Sequence, residues 1–450
     1  MLFSFADIFF GPLWLIIIVT GSLLFRNRYY EKNEISFRLF FPALGIKLFG
    51  GFLLGLIYQF VYKYGDTFGY HYSSELIWNY LVNNNKNLVS LWTAAPSSFG
   101  DELEKIAGIS IYSNNGPAWF TSKIVAFISI FTGHSYVANG FILSAYAFSG
   151  IWFFYRSVCS TFPRKDLWFG LACFFVPSVW FWGSGVMKDS IALGSLGFLY
   201  FGWVELFIKG KNRILGFILV LLMAFILFKI KVYILLTFIP FAGIIGVLEL
   251  RSGINNPKLK SVILPAGLIL ASLVSYGILT FLNQLDKRFA FETLLEYALL
   301  HQQDLLNNSM YYVNGGGSFY DIGKFEPTLQ GISGKFIPAT LAGLFRPWIW
   351  ESQNLVMFLS AFESLIILLS TIYTLLNQKI SEFFVKIFTN RYLFMWFMFS
   401  VFFLFAVGLT TSNFGTLVRY RIPALPFYLC SILAILSFQK NPLSPKDLIL

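Results

Sequence analysis

Charge is what this sequence has least of. Asp, Glu, Lys and Arg together make up 12% of its 450 residues, about half the roughly 25% of an ordinary soluble domain. A soluble chain of this length would form two or three domains and would need far more polar surface than is present. Cysteine is scarce as well, with three residues in all. That excludes a disulfide scaffold, and the spacing of Cys159, Cys173 and Cys430 matches no zinc motif. The three histidines, His71, His134 and His301, are scattered and offer no metal cluster. The chain lacks a P-loop, so ATP-driven work is not indicated. A basic n-region and a small-residue cleavage site are both missing at the start, so no cleavable signal peptide is expected. Internal repeats and low-complexity tracts are absent, as are the paired broken helices of inverted-repeat transporters.

What the sequence does have is apolar and aromatic side chains, 57% hydrophobic and 20% aromatic. They fall in continuous runs of about 18 to 22 residues, which points to membrane-spanning helices and excludes the short alternating strands of an outer-membrane barrel. The expected fold is therefore all-α, a polytopic transmembrane helical bundle forming one integral membrane domain over residues 1–450. About eleven spans are expected, at 5–25, 37–62, 136–155, 167–185, 190–208, 214–229, 232–249, 262–283, 354–375, 392–410 and 422–438. The stretch 119–133 is short for a span, carries Lys123, and is read as an interfacial or half-inserted helix.

The net charge of +11 sets orientation. Connections carrying Arg26, Arg28, Lys32, Arg156, Arg164, Lys165, Lys209, Lys211, Arg213, Arg251, Lys258, Lys260, Lys379, Lys386, Arg391, Lys440 and Lys446 all fall on one side. That side holds about 17 bases against about 6 acids, which the positive-inside rule makes cytoplasmic. The surplus therefore implies no nucleic-acid partner. The two long opposite loops, 63–135 and 284–353, are expected on the outer face and to contain surface helices.

Candidate chemistry lies where charge sits near the outer membrane ends, because such residues cost free energy to hold there. The first place is Tyr64-Gly65-Asp66-Thr67-Phe68-Gly69-Tyr70-His71-Tyr72. Asp66 lies near two glycines, amid aromatics of the kind that sugar clefts use. From Ser73 onward Glu75, Leu76, Ile77, Tyr80 and Leu81 read as an amphipathic surface helix. Asp66 could act as a base or simply cap that helix. Tyr70 and His71 are candidate substrate contacts.

The second place is Gly183-Ser184-Gly185-Val186-Met187-Lys188-Asp189. Here Lys188 would meet a phosphate and Asp189 would orient it or the acceptor, or the two form a mere interfacial ion pair. The third is Phe345-Arg346-Pro347-Trp348-Ile349-Trp350-Glu351, an arginine for phosphate or an interfacial aromatic belt. The fourth is Asn413-Phe414-Gly415-Thr416-Leu417-Val418-Arg419-Tyr420-Arg421. Arg419 and Arg421 break the positive-inside bias, and a facing anion such as a lipid phosphate would explain them. Lipid headgroup contact is the simpler reading. Neither a tight metal site nor a cofactor is expected, although Asp66 and Asp189 could share a weakly held divalent ion.

The order of these features resembles the GT-C superfamily of polytopic glycosyltransferases, which includes protein O-mannosyltransferases and lipid A aminoarabinose transferases. Gly65-Asp66-Thr67 takes the place of the essential Asp at the start of the first outer loop. Pro117-Ala118-Trp119-Phe120, Gly133, Tyr136–Tyr155, Arg156–Lys165, Pro177 and Asp189 follow the family's later layout. The likeness covers about residues 37–210 and is one of layout. The chain departs from it by an additional first span, by lacking the paired acidic motif of that loop, and by lacking a large soluble C-terminal domain. The run from Asn413 to Pro423 and Pro426 is similar to the ends of bacterial surface-polysaccharide enzymes, both GT-C and O-antigen polymerase.

The resemblance implies a donor sugar on polyprenyl phosphate and an acceptor glycan, lipid or protein. It implies Asp66 as base, with Arg419, Arg421 and Lys188 at the leaving phosphate. The enzyme would sit in a bacterial inner membrane with its active site on the periplasmic face, in cell-surface glycan synthesis. Two alternatives stay open. One is a repeat-unit polymerase relying on outer-loop arginines such as Arg346. The other is a non-enzymatic transporter or flippase of lipid-linked sugar, for which Lys47 within a span is the main sign, with Lys229 and Lys231 at a span end.

Overall fold

The computed structural model describes residues 3–83, 88–93, 115–162, 166–252 and 319–437, with scattered positions between 254 and 303. Several expectations lie outside the described residues: most of span 262–283, His301, Arg164, Lys165, Lys258, Lys260, Lys440, Lys446, and loop segments 94–114 and 304–318.

The described residues are all-helical, with helix at 85% and no strand. The helices are α1 (Phe5–Tyr29), α2 (Ile35–Ile57, widening through Tyr58–Tyr62), α3 (Asp66–Asn83), α4 (Leu88–Thr93), α5 (Gly116–Thr132) and α6 (Tyr136–Thr161). Next come α7 (Asp166–Phe174), α8 (Pro177–Trp182), α9 (Lys188–Val204, widening through Glu205–Lys209) and α10 (Arg213–Ser252). The chain then forms α11 (Leu329–Gly334), α12 (Phe336–Phe345), α13 (Leu355–Leu376), α14 (Ile380–Thr389), α15 (Arg391–Thr410), α16 (Phe414–Tyr420) and α17 (Leu425–Ser437).

Seven of these, α1, α2, α6, α9, α10, α13 and α15, are long and apolar enough to cross a membrane, and the bent pair α16–α17 makes up to eight. Their outward faces agree with that setting. Phe5, Ile8, Phe9 and Leu24 on α1 and Leu355, Leu359 and Leu376 on α13 are exposed. In water each such side chain would cost about 1.5–3 kcal/mol relative to burial. Lipid removes that cost, and the chain is a membrane protein.

Four of the eleven expected spans take a different form. Span 167–185 is interrupted: α7 ends at Phe174 and Pro177 opens a separate helix, α8. Proline disfavours helical backbone in the residue before it, and Val176 is extended, at φ −71° and ψ 120°. Spans 214–229 and 232–249 follow one another with no loop between them, as two helical segments of α10 that meet at a kink at Lys231, where φ is −147° and ψ is 71°. The sequence there, Lys229-Ile230-Lys231-Val232-Tyr233, holds no Gly, Pro, Asn or Asp to build a turn. Finally, expected span 422–438 begins in the bend after α16, where the two helices meet at 65°.

The chain divides into two compact units. The first comprises Met1–Ser157, Phe174–Gly202 and Ile218–Val232, the second Val158–Cys173, Trp203–Phe217 and Tyr233–Leu450.

In the first unit a single buried carboxylate, Asp7, ties two helix starts together. It accepts from the Ser4 backbone N–H at 2.6 Å, from Ser135 Oγ at 2.6 Å and from the Val137 N–H at 2.8 Å, serving the unsatisfied donors that open α1 and α6. Helices α6 and α9 touch backbone to backbone. A Cβ added to Gly150 would lie 2.0 Å from the Gly194 carbonyl oxygen, and one added to Gly197 would lie 2.2 Å from that of Gly150. Small residues at such contacts let helices approach closely where lipid offers no hydrophobic drive. Ile77 and Leu81 of α3 pack on Leu91 of α4 and on Trp119 and Ala126 of α5.

In the second unit α12 lies against α15 in the same manner, with Gly343 over the Leu404 carbonyl and Gly408 over that of Ala339. Arg391 pairs with Glu249 at 3.3 Å.

Candidate functional site

The candidate residues fall in both units: Asp66, Tyr70, His71, Lys188 and Asp189 in the first, Arg346, Asn413, Arg419 and Arg421 in the second.

The Asp66 segment grows from the way α2 ends. Its last turn widens at Tyr58–Tyr62 and stops at Lys63, which is left-handed at φ 62° and donates its N–H to Tyr58 O at 2.7 Å. Such a backbone costs a non-glycine residue about 1–3 kcal/mol and marks a place worth inspecting for function. Gly65 follows at φ 120°, with the Tyr58 ring so close that a Cβ would meet it at 2.8 Å. Only glycine fits both demands.

Asp66 then opens α3, half-buried, where the helix dipole favours a negative charge. The segment is anchored by Thr67 Oγ1 and Tyr136 Oη, hydrogen-bonded at 2.7 Å. The helix divides its aromatics between two faces. Phe68 and Tyr72 lie together at 5.9 Å between ring centres. Tyr70, expected as a wall of a ligand cleft, is instead fully buried at 0% exposure, because it shares the inward face with Thr67, His71 and Ser74.

His71 is buried too, edge-on to Tyr136, and its Nδ1 has no hydrogen-bond partner. Burial pushes its imidazole down to about 4, helped by the neighbouring His134. Burial pushes His134 to about 4 as well, and neither of its ring nitrogens has a hydrogen-bond partner. His134 is left-handed, at φ 61°, directly after the left-handed Gly133 that ends α5. Both rings are therefore neutral at pH 7. They can offer a hydroxyl an N–H and a lone pair, and they carry no charge for a phosphate.

In the Gly183–Asp189 segment the carboxylate has a partner from further along the chain. Asp189, at 1% exposure, forms a buried ion pair with Lys231. The non-helical backbone at Lys231 is where α10 breaks, so the kink and the ion pair coincide at one residue. With an ammonium on its carboxylate, Asp189 is a poor half of a shared metal site with Asp66. The described residues contain no group of three or more His, Cys, Asp or Glu able to hold a metal. Lys188 is half-buried at the start of α9.

Lys47, the sign of a transport pathway, donates to the carbonyls of Val179 at 2.8 Å and Gly183 at 2.7 Å. Those carbonyls lie at the C-terminal end of α8, the negative end of a helix, where a cation is stabilising. Its position is accounted for by helix capping.

In the second unit Arg421 is not aimed at an outside anion. It is fully buried, at 0% exposure. It donates to Glu363 Oε1 at 2.8 Å, Ser364 Oγ at 3.0 Å and the carbonyl of Arg346 at 2.8 Å. The anion that explains this arginine is internal.

Arg346 lies over the Tyr320 ring at 5.3 Å and reaches Glu351 at 3.6 Å, with 27% of its side chain exposed. Tyr320 is itself held by Thr411 Oγ1 at 2.8 Å and stacks on Phe414. Asn413 serves as the N-cap of α16, its Oδ1 accepting the Thr416 N–H at 3.2 Å, so that oxygen is engaged within the fold. Arg419 is half-buried in the last turn of α16. Arg346 and Arg421 thus meet through one backbone carbonyl, while their guanidiniums have different partners.

Two participants, Glu363 and Tyr320, were not named from the sequence, while Lys231 was read as a span-end lysine and His134 as a scattered histidine. Glu363 had a readable signal, being the one acid within the 22 apolar-rich residues of α13. Such a residue demands a partner.

No family model matches this chain, and neither does any curated protein or solved structure.

Proposed function

We propose that the protein is a GT-C-like membrane glycosyltransferase. It would transfer a sugar from a polyprenyl-phosphate donor to an acceptor hydroxyl on the outer face of a bacterial inner membrane. The observation that supports this most is the setting of Asp66: a half-buried carboxylate that opens α3 directly after the left-handed Lys63 and Gly65, on the helix that also carries His71 and the half-buried Phe68 and Tyr72. In this reading Asp66 takes the proton of the acceptor hydroxyl as its oxygen attacks the anomeric carbon. The bond from that carbon to the phosphate oxygen breaks, and polyprenyl phosphate leaves. The leaving group is a good one, so positioning and charge stabilisation supply most of the acceleration. Lys188, in the same unit as Asp66, is the candidate phosphate contact, and Arg421 drops out of that role because Glu363 neutralises it.

A second reading, a repeat-unit polymerase, draws on Arg346, whose guanidinium stays partly exposed on the Tyr320 ring. The test is transfer from labelled polyprenyl-linked sugar in membranes carrying Asp66→Asn or Arg346→Ala. Loss with Asp66→Asn, at normal protein level, supports the transferase. Near-normal product from that variant refutes it, and selective loss of chain length with Arg346→Ala favours the polymerase.

A further inference from the structure

All three cysteines of the chain fall in the second unit, although 257 residues separate Cys173 from Cys430. Cys173 is in the last turn of α7 and Cys430 is in the middle of α17. Their sulfur atoms are 3.8 Å apart, and both side chains are fully buried. A disulfide needs about 2.05 Å between sulfurs. Rotation of the two side chains toward each other would close the remaining distance between sulfurs that are already in contact. Cys159 is the third thiol, close enough to Cys173 to act on it electrostatically.

We propose that Cys173 and Cys430 form a redox-sensitive disulfide pair that staples α7 to α17. This is independent of the glycosyltransferase reading. Each thiol gives up one hydrogen, one S–S bond forms, and a lipid-soluble two-electron oxidant of the quinone class takes up both hydrogens to become a hydroquinone. The burial of the pair selects the oxidant. A water-soluble disulfide cannot reach sulfur atoms packed inside an apolar bundle, whereas a quinone shares their phase. The staple would act on a consequential element, because α17 begins four residues after Arg421, the buried arginine that pairs with Glu363.

The test uses the full chain in phospholipid micelles, treated with a fully substituted, lipid-soluble benzoquinone. The protein is then denatured and its remaining thiols are counted with a mass-tagged maleimide. Three tags are expected before oxidation and one after, with peptides carrying Cys173 and Cys430 joined and two hydrogens lighter. Cys430→Ser should carry two tags both before and after, and Cys159→Ser should fall from two to none. Three tags retained after oxidation would overturn the proposal. So would a loss of tags that Cys159→Ser prevents and Cys430→Ser does not, because that pattern assigns the bond to Cys159. Cys430→Ala replaces Cys430→Ser if the serine variant fails to accumulate.

Discussion

Replacing Arg421 by Met is the sharpest perturbation the structure offers. The guanidinium is fully buried and meets Glu363 at 2.8 Å, Ser364 at 3.0 Å and the Arg346 carbonyl at 2.8 Å. Removing it leaves the Glu363 carboxylate, at 4% exposure, without a counter-charge. Breaking one side of a buried pair costs about 3–5 kcal/mol, because the abandoned charge stays desolvated. Removing both charges is far milder, since the desolvation cost disappears together with the attraction. Glu363→Met and Arg421→Met should each lower the apparent Tm by roughly 6 °C or more. The double variant should recover much of that loss, with a coupling of about 2 kcal/mol or more. The three buried thiols, Cys159, Cys173 and Cys430, supply the assay: a thiol-reactive dye reports their exposure on heating at a fixed scan rate. If Arg421→Met melts within about 1 °C of the parent, or if the double variant loses the sum of the two singles, the internal-partner account of Arg421 is wrong. An arginine kept for an outside phosphate would instead lose activity with little change in Tm.

Asp66→Asn should reduce sugar transfer by about 10²–10⁴-fold with unchanged expression, read as product from labelled donor. Lys231→Met should strand Asp189 and cost about 3–5 kcal/mol, with Asp189→Asn added to it restoring much of the melting temperature; no rescue would remove the pair's structural role. Gly150→Val should depress folded yield sharply, because its side chain would meet the Gly194 carbonyl at 2.0 Å, and wild-type monodispersity on gel filtration would refute that contact. The two neutral histidines give a pH prediction. With His71 at about 4 when folded and about 6.5 when unfolded, the unfolded chain binds the extra proton between those values. Stability is therefore full above about 6.5 and falls as pH drops toward 4, by about 3 kcal/mol for His71. Thiol-dye melting from pH 7 to 4 should show the decline, and His71→Gln should flatten it.

Much of the helical framework was legible in the sequence because apolar runs are local. Spans 5–25, 37–62, 136–155, 190–208, 354–375 and 392–410 each lie within a single long helix or differ from it by one residue. The misreadings occurred where a local pattern admits two geometries. Lys229 and Lys231 do mark a kink between two helical segments, but with no turn residue no loop separates them. Pro177 lies inside an apolar run, where hydropathy does not register its effect on Val176. The charge bias singled out Arg421, but its compensating acid lies 58 residues away on α13.

The sequence by itself determined that this is a helical membrane protein, because charge content and apolar run length are sums over neighbours and need no third dimension. It also marked Asp66, Asp189 and Arg421 as residues whose charge requires explanation. Only the tertiary structure decided what answers those charges: Lys231 for Asp189, Glu363 for Arg421, and helix carbonyls for Lys47. A buried charge is stable only beside its partner, and chain folding brings partners together without regard to their distance in sequence.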